Sequence, residues 1–185
     1  MAALSIGVLV GSLRRESLNR RLADGLARLA PTATFQQLEI GDLPPYNQDE
    51  DASPPQAATR LKNEIRACDG IVFVTPEYNR SVPGVLKNAI DHASRPYGES
   101  AFARKPAGII GVSPGAPGTS MAQQHLRNIA AYLDMPTLAQ PEAFIQAKDG
   151  LFDADGSVGS ASREFVQQWV DAYLAWVRTH TTLGR

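Results

Sequence analysis

The sequence predicts an α/β domain, with parallel strands in one sheet and helices on both of its faces. Three observations predict it. Apolar runs of strand length alternate with amphipathic helical patterns along the chain. The runs are apolar throughout rather than at every second residue, so their strands are covered on both faces, as strands of a parallel sheet are. Five such units fit into 185 residues, a length that one domain with a sizeable core accommodates.

The elements follow in order. Residues 4–10 form a continuous apolar stretch, the first strand. Leu18, Leu22, Leu26 and Leu29 then recur at helical spacing and mark one face of the first helix. Residues 35–40 read as a second strand, half polar, as suits a sheet edge. The stretch 42–56, rich in proline and acid, is a long loop. Residues 57–66 read as a helix, 70–75 as a buried strand, 85–93 as a helix and 107–112 as a strand. Residues 121–133 are helical with Leu126, Ile129 and Leu133 on one face, and a fifth strand lies within 137–145. A last helix carries Phe165, Trp169, Tyr173 and Trp176. Five βα units favour a three-layer sandwich with strand order 2-1-3-4-5, the flavodoxin-like arrangement, over a six-stranded dinucleotide fold. One domain spanning residues 1–185 is expected.

Composition excludes several function classes. Cys68 is the single cysteine, so no disulfide framework or Cys-x-x-Cys site exists. His92, His125 and His180 are too scattered to read as a metal cluster, and no metal is expected. A net charge of −1 leaves no footprint for nucleic acid. No apolar run reaches membrane-spanning length, and the N-terminal apolar stretch reads as a strand rather than a signal peptide, so a cytoplasmic location is expected. Redox chemistry, if present, requires a borrowed organic cofactor.

In an open parallel sheet, ligands bind beyond the carboxyl ends of the strands, near the switch in strand order. Three loops lie there. Gly11-Ser12-Leu13-Arg14-Arg15-Glu16-Ser17-Leu18-Asn19 runs from a buried strand into a helix, where free backbone N–H groups bind anions. Ser12, Ser17 and Asn19 add donors and Arg14 adds charge, although a capped helix start with solvated arginines is an equally good reading of this loop alone. It has neither the Gly-Lys-Ser/Thr of a Walker loop nor a second glycine for G-x-G-x-x-G. The second loop, Pro76-Glu77-Tyr78-Asn79-Arg80-Ser81-Val82-Pro83-Gly84, is rigid enough to present backbone groups to a planar ring. The third, Gly111-Val112-Ser113-Pro114-Gly115-Ala116-Pro117-Gly118, contains the G-x-S-x-G of a hydrolase elbow. An oxyanion hole there needs the N–H of the residue after the serine, and Pro114 has none. A turn against a flat ligand fits better. Asp153-Ala154-Asp155-Gly156 imitates a calcium loop, but Leu151 and Ser162 occupy its first and twelfth positions, which makes it a turn. Cys68 lacks the arginine six positions on that a phosphatase requires and reads as a packed helix-end residue.

At these loops the sequence resembles the NADPH-dependent FMN reductase family, in particular its bacterial quinone and chromate reductase branch. Gly-Ser-Leu-Arg-x-x-Ser-x-Asn carries part of the likeness, and the run Pro76 to Asp91 carries most of it. The resemblance implies FMN as cofactor, with NAD(P)H as electron donor. It implies that Ser12, Arg14, Ser17 and Asn19, with Leu18 beside them, hold the phosphate. Pro76, Glu77, Tyr78 and Asn79 would line the isoalloxazine, with Ser113 and Gly115 on its far side. Leu86, Lys87, Asn88 and Asp91 would be helix and subunit-interface residues in a homodimer or homotetramer, with residues 43–47 near the mouth. Arg80 stands where close relatives often have an aromatic residue; a guanidinium there could reach an anionic group. No catalytic side chain is expected, because the cofactor carries the chemistry. Electrons would pass to a small-molecule acceptor: a quinone, a flavin, a chromate-like oxyanion or an azo compound. The alternatives are a flavodoxin-type electron carrier, disfavoured by the near-neutral charge, and a cofactor-free protein of this fold.

Overall fold

The computed structural model describes residues 3–183. Five strands, β1 (Leu4–Val10), β2 (Ala33–Gln37), β3 (Gly70–Val74), β4 (Ala107–Ser113) and β5 (Ala143–Gln146), form one parallel sheet in the order β2-β1-β3-β4-β5. The helices are α1 (Leu18–Leu29), α2 (Gln56–Ala67), α3 (Gly84–Ser94), α4 (Ser120–Tyr132) and α5 (Ser160–Leu183), with a 3₁₀ turn at Gln48–Glu50 inside the long loop. The expected fold class and strand order are the observed ones.

Alternation along each strand sorts its side chains into two cores. Ile6, Val8, Val10, Val72, Val74, Ile110 and Val112 meet α1 and α5, where Trp169 stacks on Tyr173 with ring centroids 5.5 Å apart. Leu9, Ile71, Phe73 and Ile109 meet α2, α3 and α4 on the other face. Both sets are buried, which is why the strand sequences show no polar alternation.

Two strands depart from expectation by more than one residue. The β2 ladder is set by β1, whose Leu4 pairs with Ala33, so β2 starts and ends earlier than its apolar residues suggested. Leu38 and Ile40 continue past the ladder into the second core, and the Leu38 N–H still bonds the Val8 carbonyl at 2.9 Å. The fifth strand starts late in its expected window and runs one residue past it, because Thr137 makes an isolated bridge to Ala107 before the chain turns away.

Cys68 ends α2 as expected, its thiol donating to the Glu64 carbonyl and its pKa pushed up by burial. Lys105 closes the same helix end on the Arg66 and Cys68 carbonyls. This corner precedes β3 and lies at the amino edge of the sheet, opposite the three loops. Among the described residues no helix is long and apolar enough to cross a membrane.

Candidate functional site

At the carboxyl edge of the sheet the three loops converge on one cleft, where β1 and β3, neighbours in space, lead to helices on opposite faces. It is lined by Ser12, Arg14, Ser17, Leu18, Asn19, Pro76, Glu77, Tyr78 and Ser113, all anticipated, together with Val112 and Pro114, which were not. Asn79 and Gly115 lie outside this lining. The cleft's volume is about 90 Å³, small beside the several hundred Å³ of a pocket that takes a whole ligand. The cleft therefore grips a small group and leaves anything larger on an open rim.

The first loop ends in a helix start built for an anion. Ser17 caps α1: its Oγ accepts from the Arg20 N–H at 3.2 Å, which leaves the hydroxyl proton free to donate. The N–H groups of Leu18 and Asn19 have no partner among the described residues, and no acidic side chain sits in the first turn. Arg14, exposed beside them, has no carboxylate partner there either. Unsatisfied N–H groups at the positive end of a helix, with a serine donor and a guanidinium close by, form an anion site.

Asn19 is engaged differently from the phosphate contact that the resemblance implies. Its carboxamide faces the β4 backbone: Nδ2 donates to the Val112 carbonyl at 2.9 Å, and Oδ1 accepts from the Val112 N–H at 3.0 Å.

The second loop is a tight turn. Tyr78 and Ser81 exchange backbone hydrogen bonds of 3.2 and 3.0 Å around Asn79 (φ 52°) and Arg80 (φ 61°). Asparagine tolerates this left-handed conformation, whereas arginine adopts it at a cost on the order of 1 kcal/mol. Arg80 is thereby held at the exposed tip. Ser81 Oγ meets His125 Nδ1 of α4 at 2.9 Å, tying the turn to that helix.

Glu77 lines the cleft, but its carboxylate is engaged at the start of α4. Oε2 accepts from the N–H groups of Met121 and Ala122 at 3.0 and 3.1 Å, capping α4, whose own N-cap residue Thr119 makes no side-chain cap. Glu77→Ala should therefore lower stability by about 1–2 kcal/mol, with the midpoint of denaturant unfolding shifted down and the slope unchanged. An unshifted midpoint would show that water replaces this cap at no cost.

The third loop makes no nucleophile. Ser113 Oγ accepts from the Gly115 N–H at 3.2 Å, Asp153 pairs with Arg163, and His180 lies against Trp176 on α5. Gly111 is required by packing: a Cβ there would fall 2.1 Å from the Thr75 carbonyl oxygen. Over the second core, residues 43–47 are strapped to α3. Asn88 donates to the Pro44 carbonyl and accepts from the Tyr46 N–H, and His92 Nε2 bonds the same Pro44 oxygen. Of the other residues expected at an interface, Leu86 is buried core, while Lys87 and Asp91 form an ion pair on the rim of a groove between α3 and α4.

Sheet order, switch-point cleft and anion-ready helix start together define a flavodoxin-like mononucleotide-binding protein. Comparison with known proteins narrows this. Residues 4–149 match the family described as NADPH-dependent FMN reductase, and the chain belongs to that family. It is 51% identical over 178 residues to a 2-hydroxy-1,4-benzoquinone reductase of a Burkholderia species, covering 95% of this chain and 97% of the relative. It is 49% identical over 176 residues to a quinone reductase of Pseudomonas putida, covering 94% and 95%. The solved flavoenzyme NAD(P)H:(acceptor) oxidoreductase FerB of Paracoccus denitrificans superimposes with a TM-score of 0.92 at 44% identity, over 96% of this chain and 99% of that one.

Proposed function

We propose that this chain is an NAD(P)H-dependent oxidoreductase that holds FMN in the three-loop cleft and reduces quinones. The observation that carries this reading is the start of α1. Two unpartnered N–H groups, the free Ser17 proton and Arg14 meet in a space of about 90 Å³, which suits a phosphate terminus and leaves a ring on the open rim. Ser12 and Ser17, both buried, would hold the phosphate with the N–H groups of Leu18 and Asn19. Pro76, Glu77 and Tyr78 would support one face of the ring through their backbone, with Asn79 in the same turn, and Ser113 and Gly115 would stand at its far side.

When bound, FMN supplies the site that accepts hydride and later gives up two electrons. The protein's part is to bind, orient and leave one face of the rim open. Nothing in the cleft needs to act as a nucleophile. Arg14 and Arg80, without carboxylate partners among the described residues, make the mouth favourable to the anionic nicotinamide cofactor and disfavour the acidic docking face of an electron carrier. Quinones are the acceptors named for both relatives described above; chromate-like and azo acceptors are further candidates of the same two-electron chemistry.

Anaerobic titration of the FMN-loaded protein tests the reading. NADPH or NADH should bleach the visible flavin band in one stoichiometric phase, and a benzoquinone should restore it. Failure to bleach with either nucleotide would move the protein to the carrier class.

A homo-oligomer is also proposed. A groove of about 550 Å³ between α3 and α4 is lined by Ile90, Ile129 and Leu133, and Tyr97 and Tyr132 stand 83% and 75% exposed on its walls. Such a rim of exposed aromatics on an apolar floor suits a second copy of the chain. Light scattering should give at least a dimer, and Tyr132→Lys should shift it toward monomer. A wild-type monomer at all concentrations would refute the assignment.

A further inference from the structure

The Asn19 carboxamide occupies a gap in the sheet. In β4 the backbone groups of Ile110 face β3, and the Thr75 N–H bonds the Ile110 carbonyl at 3.0 Å. Those of Val112, two residues on, face the same way. Continuing that register would take the Val112 N–H to the Thr75 carbonyl and the Val112 carbonyl to the Glu77 N–H, but the ladder ends at Thr75 and neither bond forms. Val112 would thus keep a buried N–H and a buried C=O without a strand partner. Asn19 replaces that partner: its amide presents a donor and an acceptor in the geometry of a peptide group and satisfies both. Asn19 is 3% exposed, and Val112 is 1% exposed.

This contact joins two parts of the site that no neighbouring stretch of sequence links. Asn19 belongs to the first turn of α1, next to the Ser17 cap and the free N–H groups. Val112 lies in the third of the three loop stretches, directly before Ser113 at the end of β4. The two positions are 93 residues apart. We infer that Asn19 is a positioning residue whose side chain sets the span between the anion end and the ring end of the cleft, rather than a side-chain ligand of the phosphate. The inference rests on the cleft being a flavin site. It deepens that reading by making recognition of the two ends of the cofactor depend on one buried amide pair.

The two roles separate in binding measurements with FMN and riboflavin, which differ by the phosphate alone. In Asn19→Ala, loss of the strut should weaken both ligands by a similar factor, on the order of tenfold. The Val112 amide should also exchange its hydrogen faster in the ligand-free protein. Asn19→Asp is the second variant and keeps the size and the bond accepted from the Val112 N–H. It places a carboxylate oxygen against the Val112 carbonyl, so riboflavin, which carries no phosphate for that charge to repel, should weaken as it does in Asn19→Ala, and FMN should weaken at least as much. Loss of FMN affinity with riboflavin unchanged would make Asn19 a phosphate ligand and overturn the inference. A folded variant with both affinities at wild-type level would also overturn it, leaving the amide pair a matter of stability alone. A wild-type protein that binds neither flavin would remove the functional reading itself, an outcome distinct from either of these.

Discussion

Gly111→Ala is expected to destabilise the protein by about 3 kcal/mol or more, at the upper end of overpacking costs. For a chain of this size that lowers the thermal midpoint by roughly 6–12 °C. The added Cβ would lie 2.1 Å from the Thr75 carbonyl oxygen and 2.4 Å from Thr119 Oγ1. Neither can withdraw easily. Thr75 is fully buried, its N–H is held by the Ile110 carbonyl, and its Oγ1 donates to the Pro76 carbonyl at 2.7 Å. Thr119 is buried too and accepts from Gln123. Relief must come from pushing Thr75 and Pro76 outward, which moves the second loop, so flavin affinity should fall together with stability. Gly115→Ala supplies the comparison. Its Cβ would meet Ser113 Oγ at 3.6 Å and Pro117 at 3.8 Å, ordinary contacts, and should change stability by no more than about 0.5 kcal/mol. Equal midpoints for the two variants would show that the β3–β4 junction is softer than its hydrogen bonds suggest.

That pair of glycines illustrates what the sequence could reveal. In the string Gly-Val-Ser-Pro-Gly both glycines look alike, and the motif points to a turn without saying which of them the turn requires. The requirement comes from Thr75 on a different strand. The same limit applies to Asn19 and Glu77. Their residue types and their place in ligand-facing loops were legible, because strand–loop–helix order alone puts these loops at one edge of the sheet. Their partners were not, since a carboxamide facing Val112 and a carboxylate facing the N–H groups of Met121 and Ala122 recognise backbone, which carries no side-chain signature. Val112 and Pro114 went unanticipated in the cleft because an apolar side chain offers no polar handle to notice. The fold was easier to read. β1, β3 and β4 are buried on both faces and show it as unbroken apolar runs, whereas β2, at the edge, has a register that only its pairing with β1 decides. The groove between α3 and α4 was half legible: Tyr132 falls off the core-facing side of α4, but Tyr97 lies in a loop with no periodicity to judge it by.

Ser17→Asp is expected to produce the largest change in ligand binding with the least change in fold. Ser17 is 3% exposed and caps α1 through its Oγ, and aspartate ranks with serine as an N-cap. A carboxylate at the positive end of a helix is also favourable to the dipole. The variant should therefore unfold at or near the wild-type midpoint. Ser17→Ala would lose both the cap, about 1 kcal/mol of stability, and a hydrogen bond to a charged group. The latter is worth about 1.5–3 kcal/mol, or a tenfold to hundredfold loss of FMN affinity. Ser17→Asp goes further. It removes the donor and sets a negative charge against a phosphate carrying nearly two, inside a cleft with room for few waters to screen them. FMN affinity should drop by more than about a hundredfold. Riboflavin, which has no phosphate, should bind nearly as it does to the wild type, so the preference for FMN should collapse. This is the opposite pattern from Asn19→Ala, where both flavins weaken and the preference persists. The two variants concern neighbouring residues on one helical turn, and the contrast between them separates a group that meets the phosphate from one that holds the cleft in shape. If Ser17→Asp folds and still binds FMN as tightly as the wild type, the phosphate does not lie at the start of α1, and the orientation proposed for the cofactor is wrong.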